Sequence, residues 1–384
     1  MTLVRIPHKV ICVQKNNKLT MKVVVTGLRG FPNIQGGVET HCEELFPRLV
    51  SLGCSIIVVR RTCFVAENPP MPSYKGVLFK DLQAPKIPGF EAAFHTLKAV
   101  IYAFRIKADI IHIHAIGPSL VVPLAKLLGL KVVVTHHGPD YNRQKWNSFA
   151  KFILKTGEFF AARFADKIIV ISTVIADILK EKYNRNDSIL IYNGITTQTK
   201  TNSTDYLNQL GLKDRKYILA VGRFVEEKRF DKLIDAYKNL QNKDFKLVIA
   251  GDADHESPYS IKLKEMATKN GVILTGMIKG EKLAELYAHA NLFVLPSSHE
   301  GLPITLLEAM SYELKLLASN IPANLAVALP SDCYFDLCVG ESLVNEMDKQ
   351  LNIPFIQRKY DLTKYNWDTI ASQTLSVYKS ICQE

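Results

Sequence analysis

The chain has 384 residues, of which 47% are hydrophobic and 22% are charged, a composition that is typical of globular proteins and excludes a largely disordered chain. This length favours two domains over one continuous core. The formal net charge is +11. Such a basic excess favours phosphate-bearing ligands, but it does not distinguish nucleotides, lipid headgroups and nucleic acids.

Residues 1–20 contain four lysines and arginines and no acid. Their apolar core, residues 10–13, is too short for a signal peptide, and no apolar run in the chain approaches the roughly 18 residues of a membrane-spanning helix. The seven cysteines include no CxxC pair, which favours free thiols in a reducing compartment. We therefore expect a disordered basic extension at 1–20 and a cytoplasmic protein.

Residues 21–195 alternate short Val/Ile-rich strands with helical stretches. The predicted strands lie at 22–27, 54–61, 108–115, 131–138, 166–172 and 188–194. This alternation predicts a Rossmann-like parallel sheet that is covered on both faces and binds ligands beyond the carboxyl ends of its strands.

A glycine-rich loop follows the first predicted strand and precedes a helix. Its glycines are Gly27, Gly30, Gly36 and Gly37, and they would let backbone amides approach a phosphate at the helix N-terminus. Glycines that serve only tight turns remain the alternative.

Four histidines lie in or at the ends of predicted strands. His112 and His114 alternate along one strand, where hydrogen-bonded core histidines are the usual finding. His136 and His137 close the next strand, and His137 stands beside Gly138. We interpret His137 as the better functional candidate.

Residues 141–167 mix lysines and arginines with five phenylalanines and one tryptophan. We predict a core helix with a solvated basic face. A helix that lies on an anionic membrane surface is the alternative.

A polar run without apolar periodicity predicts a linker at 196–215, after which residues 216–360 repeat the pattern of the first domain. Strands are predicted at 216–223, 245–251, 271–276, 291–296 and 314–319, and helices at 260–269, 280–290 and 303–312. An amphipathic helix is expected within 361–384, packed at the domain junction. The expected architecture is two α/β domains that face each other across a cleft.

Two cations and two acids in the second domain suit an elongated anionic ligand. Arg223 ends one strand and Lys228 follows five residues later, and two converging cations offset the charge of a diphosphate. Glu300 precedes a predicted helix and Glu308 lies within it, separated by about 7.5 Å of helical rise. Carboxylates at this spacing would hold two ends of one ligand.

Three stretches, VTGLRGFPNIQGGVET, VGRFVEEKRFDKLIDAY and SSHEGLPITLLEAM, resemble the family-4 retaining glycosyltransferases of GT-B fold, particularly bacterial enzymes of polysaccharide assembly. The resemblance extends from Met21 to the final helix. It implies that a sugar moves from a nucleotide-diphosphate donor, linked to UDP or GDP, to an acceptor hydroxyl with retention of anomeric configuration, without a metal or further cofactor. It also implies a carbohydrate or lipid-linked acceptor and no nucleic acid; peripheral contact with an anionic membrane at its inner face stays open.

The resemblance implies a role for each matching residue. Arg223 and Lys228 would bind the donor diphosphate, Glu308 the ribose hydroxyls, Glu300 the transferred sugar, and His137 would lie near that sugar. The catalytic candidates are accordingly Glu300, His137, Arg223 and Lys228. The donor-binding candidates are Gly36, Gly37, Arg223, Lys228, Glu300, Gly301, Leu302, Pro303, Thr305 and Glu308. Position in the chain, and not the resemblance, leads us to expect acceptor recognition in the first domain, around Gly36, His95 and residues 141–146.

The chain departs from the family pattern after Met310, where Glu313 and Lys315 stand in place of the usual glycine and proline. A left-handed backbone at Glu313 would cost on the order of 1 kcal/mol. This departure keeps open a catalytically degenerate GT-B binding protein.

An NADP-dependent short-chain oxidoreductase is the other rival. The opening KVVVTGLRGF resembles that family, Arg60 and Arg61 could meet a 2′-phosphate, and Tyr141 and Lys145 have its Tyr-x-x-x-Lys spacing. However, Asn33 stands where a third glycine is expected, and the second domain would have no role.

A metal site is the remaining alternative, because Asp252 and Asp254 have a spacing that can hold a metal bound to diphosphate.

Overall fold

A computed structural model describes residues 21–34, 36–65, 70–83, 90–142, 147–196, 201–253 and 255–383. Two separate sheets form the framework, one of eight strands and one of six. The basic extension predicted at 1–20 lies outside the described residues.

The first sheet has the strand order β3-β4-β2-β1-β5-β6-β7-β8, and only β3 runs antiparallel to its neighbour. Its strands are β1 (Lys22–Thr26), β2 (Ser55–Arg61), β3 (Ser73–Tyr74), β4 (Val77–Leu82), β5 (Ile110–His114), β6 (Lys131–His136), β7 (Lys167–Val170) and β8 (Ile189–Leu190). The sequence predicted all of these except β3 and β4. Those two form an edge of the sheet, and Lys80 and Asp81 interrupt the apolar pattern of β4.

Helices cover both faces of this sheet. They are α1 (Gly37–Ser51), α2 (Phe90–Arg105), α3 (Val122–Leu127), α4 (Ser148–Phe164) and α5 (Thr173–Tyr183). Buried residues of α2 to α5 share one apolar cluster with the sheet, whereas α1 packs in a different cluster on the other face. The doubly covered parallel sheet predicted from the sequence is therefore confirmed.

The second sheet is entirely parallel, with the order β11-β10-β9-β12-β13-β14. Its strands are β9 (Tyr217–Val221), β10 (Lys246–Ala250), β11 (Ile273–Leu274), β12 (Leu292–Leu295), β13 (Lys315–Ser319) and β14 (Tyr334–Phe335). The helices are α6 (Asp205–Gln209), α7 (Phe230–Asn239), α8 (Pro258–Lys269), α9 (Glu281–His289), α10 (Ile304–Ser311), α11 (Pro322–Leu325) and α12 (Ser342–Asn352).

The segment predicted as a linker contains helix α6, which joins the second domain. The backbone N–H of Leu207 donates to Glu285 Oε1 on α9 at 2.7 Å, and Leu207 is buried. Part of the 196–215 segment is therefore packed structure.

The final helix, α13 (Trp367–Cys382), returns to the first domain. Just before it, Asn366 forms a bridge with Ile195, where the chain leaves the first domain. The helix then packs on α1, and Arg48 Nε lies 3.1 Å from Asp368 Oδ1. The predicted packing of a closing helix at the domain junction is confirmed.

The prediction of a core helix with a solvated basic face is confirmed in part for α4, because Ala161 and Ala162 pack in the core and Lys155 and Arg163 are exposed. Its buried side is made by Gly157, Glu158, Ala161 and Ala162, while four of its phenylalanines are exposed. Small residues let the helix approach the sheet closely, so the large aromatic side chains are left on the outside.

Candidate functional site

The carboxyl ends of the two sheets border a cleft with a cavity volume of about 650 Å³. The predicted site residues that line it are Gly36, Gly37, His137, Arg223, Lys228, Glu300, Gly301, Leu302, Thr305 and Glu308. Pro303 is the exception, because it is buried at the N-cap of α10. The cleft thus collects predicted site residues that are up to 272 positions apart in the chain, counted from Gly36 to Glu308.

Lys228 and Glu300 form an ion pair in this cleft, with Lys228 Nζ 2.6 Å from Glu300 Oε1. Lys228 ends a short 3-10 turn after β9, and the Ser298 N–H donates to the Glu227 carbonyl at 2.8 Å, which ties the two loops together. Burial raises the pKa of Glu300, but Lys228 and hydrogen bonding outweigh it, so the pKa lies below its usual range. Glu300 is therefore a carboxylate near neutral pH.

Glu308 lies in the second turn of α10, where Tyr287 Oη donates to its Oε2 at 2.9 Å. Burial raises the pKa of Glu308 to about 7, although this hydrogen bond lowers it. Tyr287 in turn stacks on Tyr312, with ring centroids 5.2 Å apart. Sequence reasoning missed Tyr287, because its contact with Glu308 depends on how α9 packs beside α10.

Gly301 brings the two domains into contact. A Cβ atom at this position would lie 2.1 Å from the His137 carbonyl oxygen, which no side chain tolerates. The neighbouring His137 belongs to the first domain and follows β6. Glycine at 301 is therefore required for this approach of the second domain to the first.

The N-terminus of α10 faces the cleft without a side-chain cap. Its first-turn residues Ile304 and Thr305 line the cavity, and free first-turn amides favour a negatively charged ligand. The buried Thr305 Oγ1 has no hydrogen-bond partner among the described residues. A ligand hydroxyl or phosphate would satisfy such groups.

His137 lines the cleft and belongs to a cluster of histidine side chains that includes His41 and His114. Its Nε2 lies 2.9 Å from His114 Nδ1, and its ring lies 5.2 Å from that of His41. Burial holds the pKa of His137 and of His114 well below the usual range and lowers that of His41 to about 4. All three rings are neutral at pH 7, so His137 can donate or accept a hydrogen bond but carries no charge.

The core interpretation of His112 is confirmed. His112 is buried between Tyr378 Oη at 2.6 Å and Thr135 Oγ1 at 2.7 Å. His114 is also buried, but its contact with His137 connects it to the cleft. The sequence pattern placed both on one strand face and could not separate these two roles.

The glycine-rich loop is held by an ion pair that sequence reasoning missed. Glu39 Oε1 accepts from the backbone N–H and the Nε of Arg29, at 3.1 and 3.2 Å. A Cβ at Gly36 would lie 1.9 Å from Glu39 Oε2. Only glycine therefore fits at position 36 beside Glu39. Gly36 and Gly37 both line the cleft.

The expected acceptor residues are only partly at the cleft. Gly36 lines it, whereas His95 is fully buried in α2 and Tyr141 is buried with its hydroxyl bonded by Lys182 Nζ at 2.8 Å. Residues 143–146 lie outside the described residues. His95 is therefore removed from the acceptor candidates, because burial leaves it no path to a substrate.

Asp252 pairs with Lys264, with Nζ 2.9 Å from Oδ1. Burial raises the pKa of Asp252, but Lys264 outweighs it and leaves the pKa below the usual range. Asp254, the second acid of the proposed metal pair, lies outside the described residues.

Arg60 and Arg61, which the oxidoreductase alternative assigns to a cofactor 2′-phosphate, each form an ion pair with an acidic residue. Arg60 is only 1% exposed, and its Nε lies 2.8 Å from Asp81 Oδ1. Arg61 Nη1 lies 3.6 Å from Glu91 Oε1. This arrangement argues against the NADP-dependent oxidoreductase, because a buried and paired guanidinium cannot reach a cofactor phosphate.

Two family models match successive parts of the chain. Residues 35–199 match the model described as "Glycosyltransferase Family 4", and residues 202–353 match "Glycosyl transferases group 1". The chain belongs to the family-4 glycosyltransferases of GT-B fold. The resemblance found in the three sequence motifs is thereby confirmed.

Relatives and solved structures agree with this assignment. An uncharacterized glycosyltransferase of Methanocaldococcus jannaschii is 25% identical over 94% of this chain and 98% of its own. Sucrose-phosphate synthase from Thermosynechococcus elongatus superposes with a TM-score of 0.81 at 20% identity, over 94% of this chain and 99% of that one. HepE of Anabaena, solved in complex with UDP, has a TM-score of 0.69 at 16% identity, over 94% and 100%.

The departure from the family pattern after α10 has a clear structural form. Glu313 adopts a left-handed backbone with φ of 58°, as anticipated from its position. Lys315 is 2% exposed, and its Nζ donates to the carbonyls of Gln350 at 2.5 Å and Ile353 at 3.0 Å at the end of α12. Lys315 thus fastens α12 to the sheet and does not line the cleft.

Among the described residues, none of the helices combines the length and hydropathy that crossing a bilayer requires.

Proposed function

We propose that this glycosyltransferase transfers a sugar from a UDP- or GDP-linked donor to an acceptor hydroxyl with retention of anomeric configuration. It does so without a metal, in the cytoplasmic synthesis of a cell-surface polysaccharide or glycolipid. The observation that carries the proposal is the Lys228–Glu300 ion pair in a cleft that Arg223 and Glu308 also line. UDP is the favoured nucleotide, because HepE binds UDP on the same fold.

The donor would lie along the wall of the second domain. Arg223 and Lys228 offset the two charges of the diphosphate, each contributing up to about 4 kcal/mol of Coulomb energy at an effective dielectric near 20, before desolvation is subtracted. The N-terminal amides of α10 add a favourable dipole. With these cations in the cleft, the protein itself can balance the diphosphate, which supports a reaction that needs no divalent ion.

The two acids would hold the hydroxyl groups at opposite ends of the donor. Ionised Glu308 can accept two hydrogen bonds from a ribose diol, and Glu300 can accept from the transferred sugar. Diphosphate binding would draw Lys228 toward phosphate and release part of the Glu300 carboxylate for the sugar. Glu300 would then also stabilise positive charge that develops at the anomeric carbon.

Retention follows if the leaving phosphate accepts the acceptor's proton on the face from which it departs. In that reaction the protein mainly positions the two reactants and stabilises charge. Neutral His137, held by His114, would orient a sugar hydroxyl by a hydrogen bond. The role in polysaccharide or glycolipid synthesis is supported by the likeness of the three motifs to bacterial enzymes of polysaccharide assembly.

Thermal unfolding with UDP, GDP, ADP and NADP, each with and without chelator, tests donor binding. A ligand of the folded state raises stability by RT ln(1 + [L]/Kd). We expect UDP or GDP to stabilise the protein equally with and without chelator. Stabilisation by NADP alone would refute the proposal, and loss of the effect on chelation would refute the metal-free reaction.

Lys228→Ala has a matched control in Lys264→Ala, which also removes a lysine from an ion pair but lies outside the cleft lining. We expect Lys228→Ala to abolish the shift at moderate UDP concentration and Lys264→Ala to preserve it. Product analysis by NMR then tests retention through the anomeric coupling constant. Nucleotide binding without donor hydrolysis or transfer would favour a catalytically degenerate binding protein.

A further inference from the structure

Helices α2 and α4 present exposed aromatic and aliphatic side chains on one outer surface of the first domain. On α4, Phe149 and Phe152 are each 66% exposed. The aromatic face comprises these two residues together with Phe94, Ile101, Phe104, Phe159 and Phe164, which are 37–49% exposed. A grouped apolar surface of this kind marks a binding surface, whereas scattered single residues would not.

The two helices lie on the same side of the sheet. Buried residues of both, such as Ala103 of α2 and Ala161 of α4, belong to one apolar cluster. Both helices also contact the short 3-10 turn Pro118–Val121 between them. Their solvent-facing sides therefore form neighbouring parts of one surface.

The exposed charges on α2 and α4 themselves have a single sign, although Asp109 just after α2 and Asp177 on the neighbouring α5 are exposed acids. Lys155 and Arg163 on α4 are exposed, as are Arg105 at the end of α2 and Lys107 just after it. The acid of α4, Glu158, is buried and bonded to His136 and Tyr183. The acid in the first turn of α2, Glu91, is paired with Arg61. The two helices thus combine exposed phenylalanines with cations, and neither has an exposed acid.

We propose that the aromatic face docks this protein onto the surface of an anionic phospholipid bilayer. Phenylalanine rings would enter the boundary between headgroups and acyl chains, and the lysines and arginines would contact headgroup phosphates. The basic charges favour this occupant over a second copy of the same chain, because two such faces would repel each other.

The docking surface reaches the end of the domain that borders the cleft. Helix α4 follows β6 and begins near the carboxyl end of that strand, so Phe149 and Phe152 lie in its first turns. His137, at the same strand end, lines the cleft. A docked protein would therefore hold the first-domain side of its cleft next to the bilayer. This arrangement does not depend on which donor is used.

Vesicle flotation tests the docking, with phosphatidylglycerol–phosphatidylcholine vesicles compared with phosphatidylcholine alone. We expect the full chain to float with anionic vesicles. Phe149→Ser/Phe152→Ser should weaken partitioning by about tenfold for each ring removed. The control Val339→Ser/Ile356→Ser removes side chains that are 56% and 67% exposed in the second domain, and it should float like the unmodified chain.

A second variant tests the charges. Lys155→Gln/Arg163→Gln should weaken binding to anionic vesicles by up to about fivefold per charge, with no effect on the weaker binding to phosphatidylcholine. Both side chains are exposed, and the substitution removes charge without opening the core, so this variant remains informative if the double phenylalanine variant does not fold.

Three results would overturn the docking proposal. These are no flotation of the unmodified chain, equal losses in the aromatic-face and control variants, or a solution dimer that Phe149→Ser/Phe152→Ser dissociates. Nucleotide stabilisation is measured on the same samples. Flotation without nucleotide binding would refute the proposed donor site alone, and nucleotide binding without flotation would refute the docking alone.

Discussion

Replacing Glu308 with glutamine should remove a pH dependence from nucleotide binding. The pKa of Glu308 is raised by burial to about 7, so its ionised fraction falls from about nine tenths at pH 8 to about one tenth at pH 6. If the carboxylate binds the ribose hydroxyls, UDP affinity should fall by nearly tenfold over this interval. Glu308→Gln keeps the shape and can still accept from Tyr287, but it has no proton to gain.

The measurement is isothermal titration calorimetry with UDP at pH 6, 7 and 8 for both proteins. Ionisation of UDP itself affects both equally, so it cancels in the ratio of the two dissociation constants. We expect the unmodified protein to gain affinity relative to Glu308→Gln by about tenfold between pH 6 and pH 8. A ratio that stays constant would show that Glu308 does not bind the nucleotide through its carboxylate.

The raised pKa of Glu308 also predicts how the stability of the unliganded protein depends on pH. Because the folded pKa exceeds the usual value of 4.5, the folded state binds the extra proton, and stability is lost as pH rises through 7. The full shift would correspond to about 3 kcal/mol. Glu308 is partly exposed to the cleft, so we expect about 2 kcal/mol. Denaturation at pH 5 and pH 8 should show this loss in the unmodified protein and not in Glu308→Gln.

Three further substitutions test parts of the architecture. Gly301→Ala should reduce sugar transfer by at least about a hundredfold with little change in Tm. The added methyl group would lie against the His137 carbonyl and keep the two domains apart. Transfer within twofold of that of the unmodified protein would contradict this prediction. Glu313→Gly should raise the unfolding free energy by up to about 1 kcal/mol, because glycine adopts the left-handed backbone at this position without strain. Urea denaturation measures this change. A decrease would mean that the contacts of the glutamate side chain stabilise the protein by more than the backbone strain costs. Lys315→Met should lower stability by about 2 kcal/mol at pH 7, because two carbonyls lose a buried donor. Burial lowers the pKa of Lys315 to about 8, so the unmodified protein should gain stability from pH 8 to 10 and Lys315→Met should not; parallel pH profiles would refute this.

Local pattern was sufficient for most of the fold. Runs of Val, Ile and Leu bounded by glycine defined the central strands of both sheets, because a strand buried on both faces must be apolar throughout. The edge strands β3, β4 and β14 were missed. They are short or half-solvated, so few of their residues need to be apolar.

The sequence was sufficient to name most residues of the candidate site, but not to predict the contacts between them. The motifs nominated Arg223, Lys228, Glu300 and Glu308, and the fold brings them to one cleft. The motifs did not show that Lys228 pairs with Glu300, or that Tyr287 donates to Glu308. Both contacts join loops and helices from different strand–helix units, and no local rule fixes the distance between them.

The order of apolar and polar residues along the sequence by itself determined that this chain folds as two α/β domains, because alternating apolar strands and helices have few other ways to bury their surfaces. Tertiary structure alone decided which side chains became buried, paired or exposed. Small residues turn one side of α4 to the core and leave its phenylalanines outside. The approach of Gly301 to His137 depends on two domains meeting across a cleft. The sequence specifies each partner separately, and only long-range packing sets the distance at which they meet.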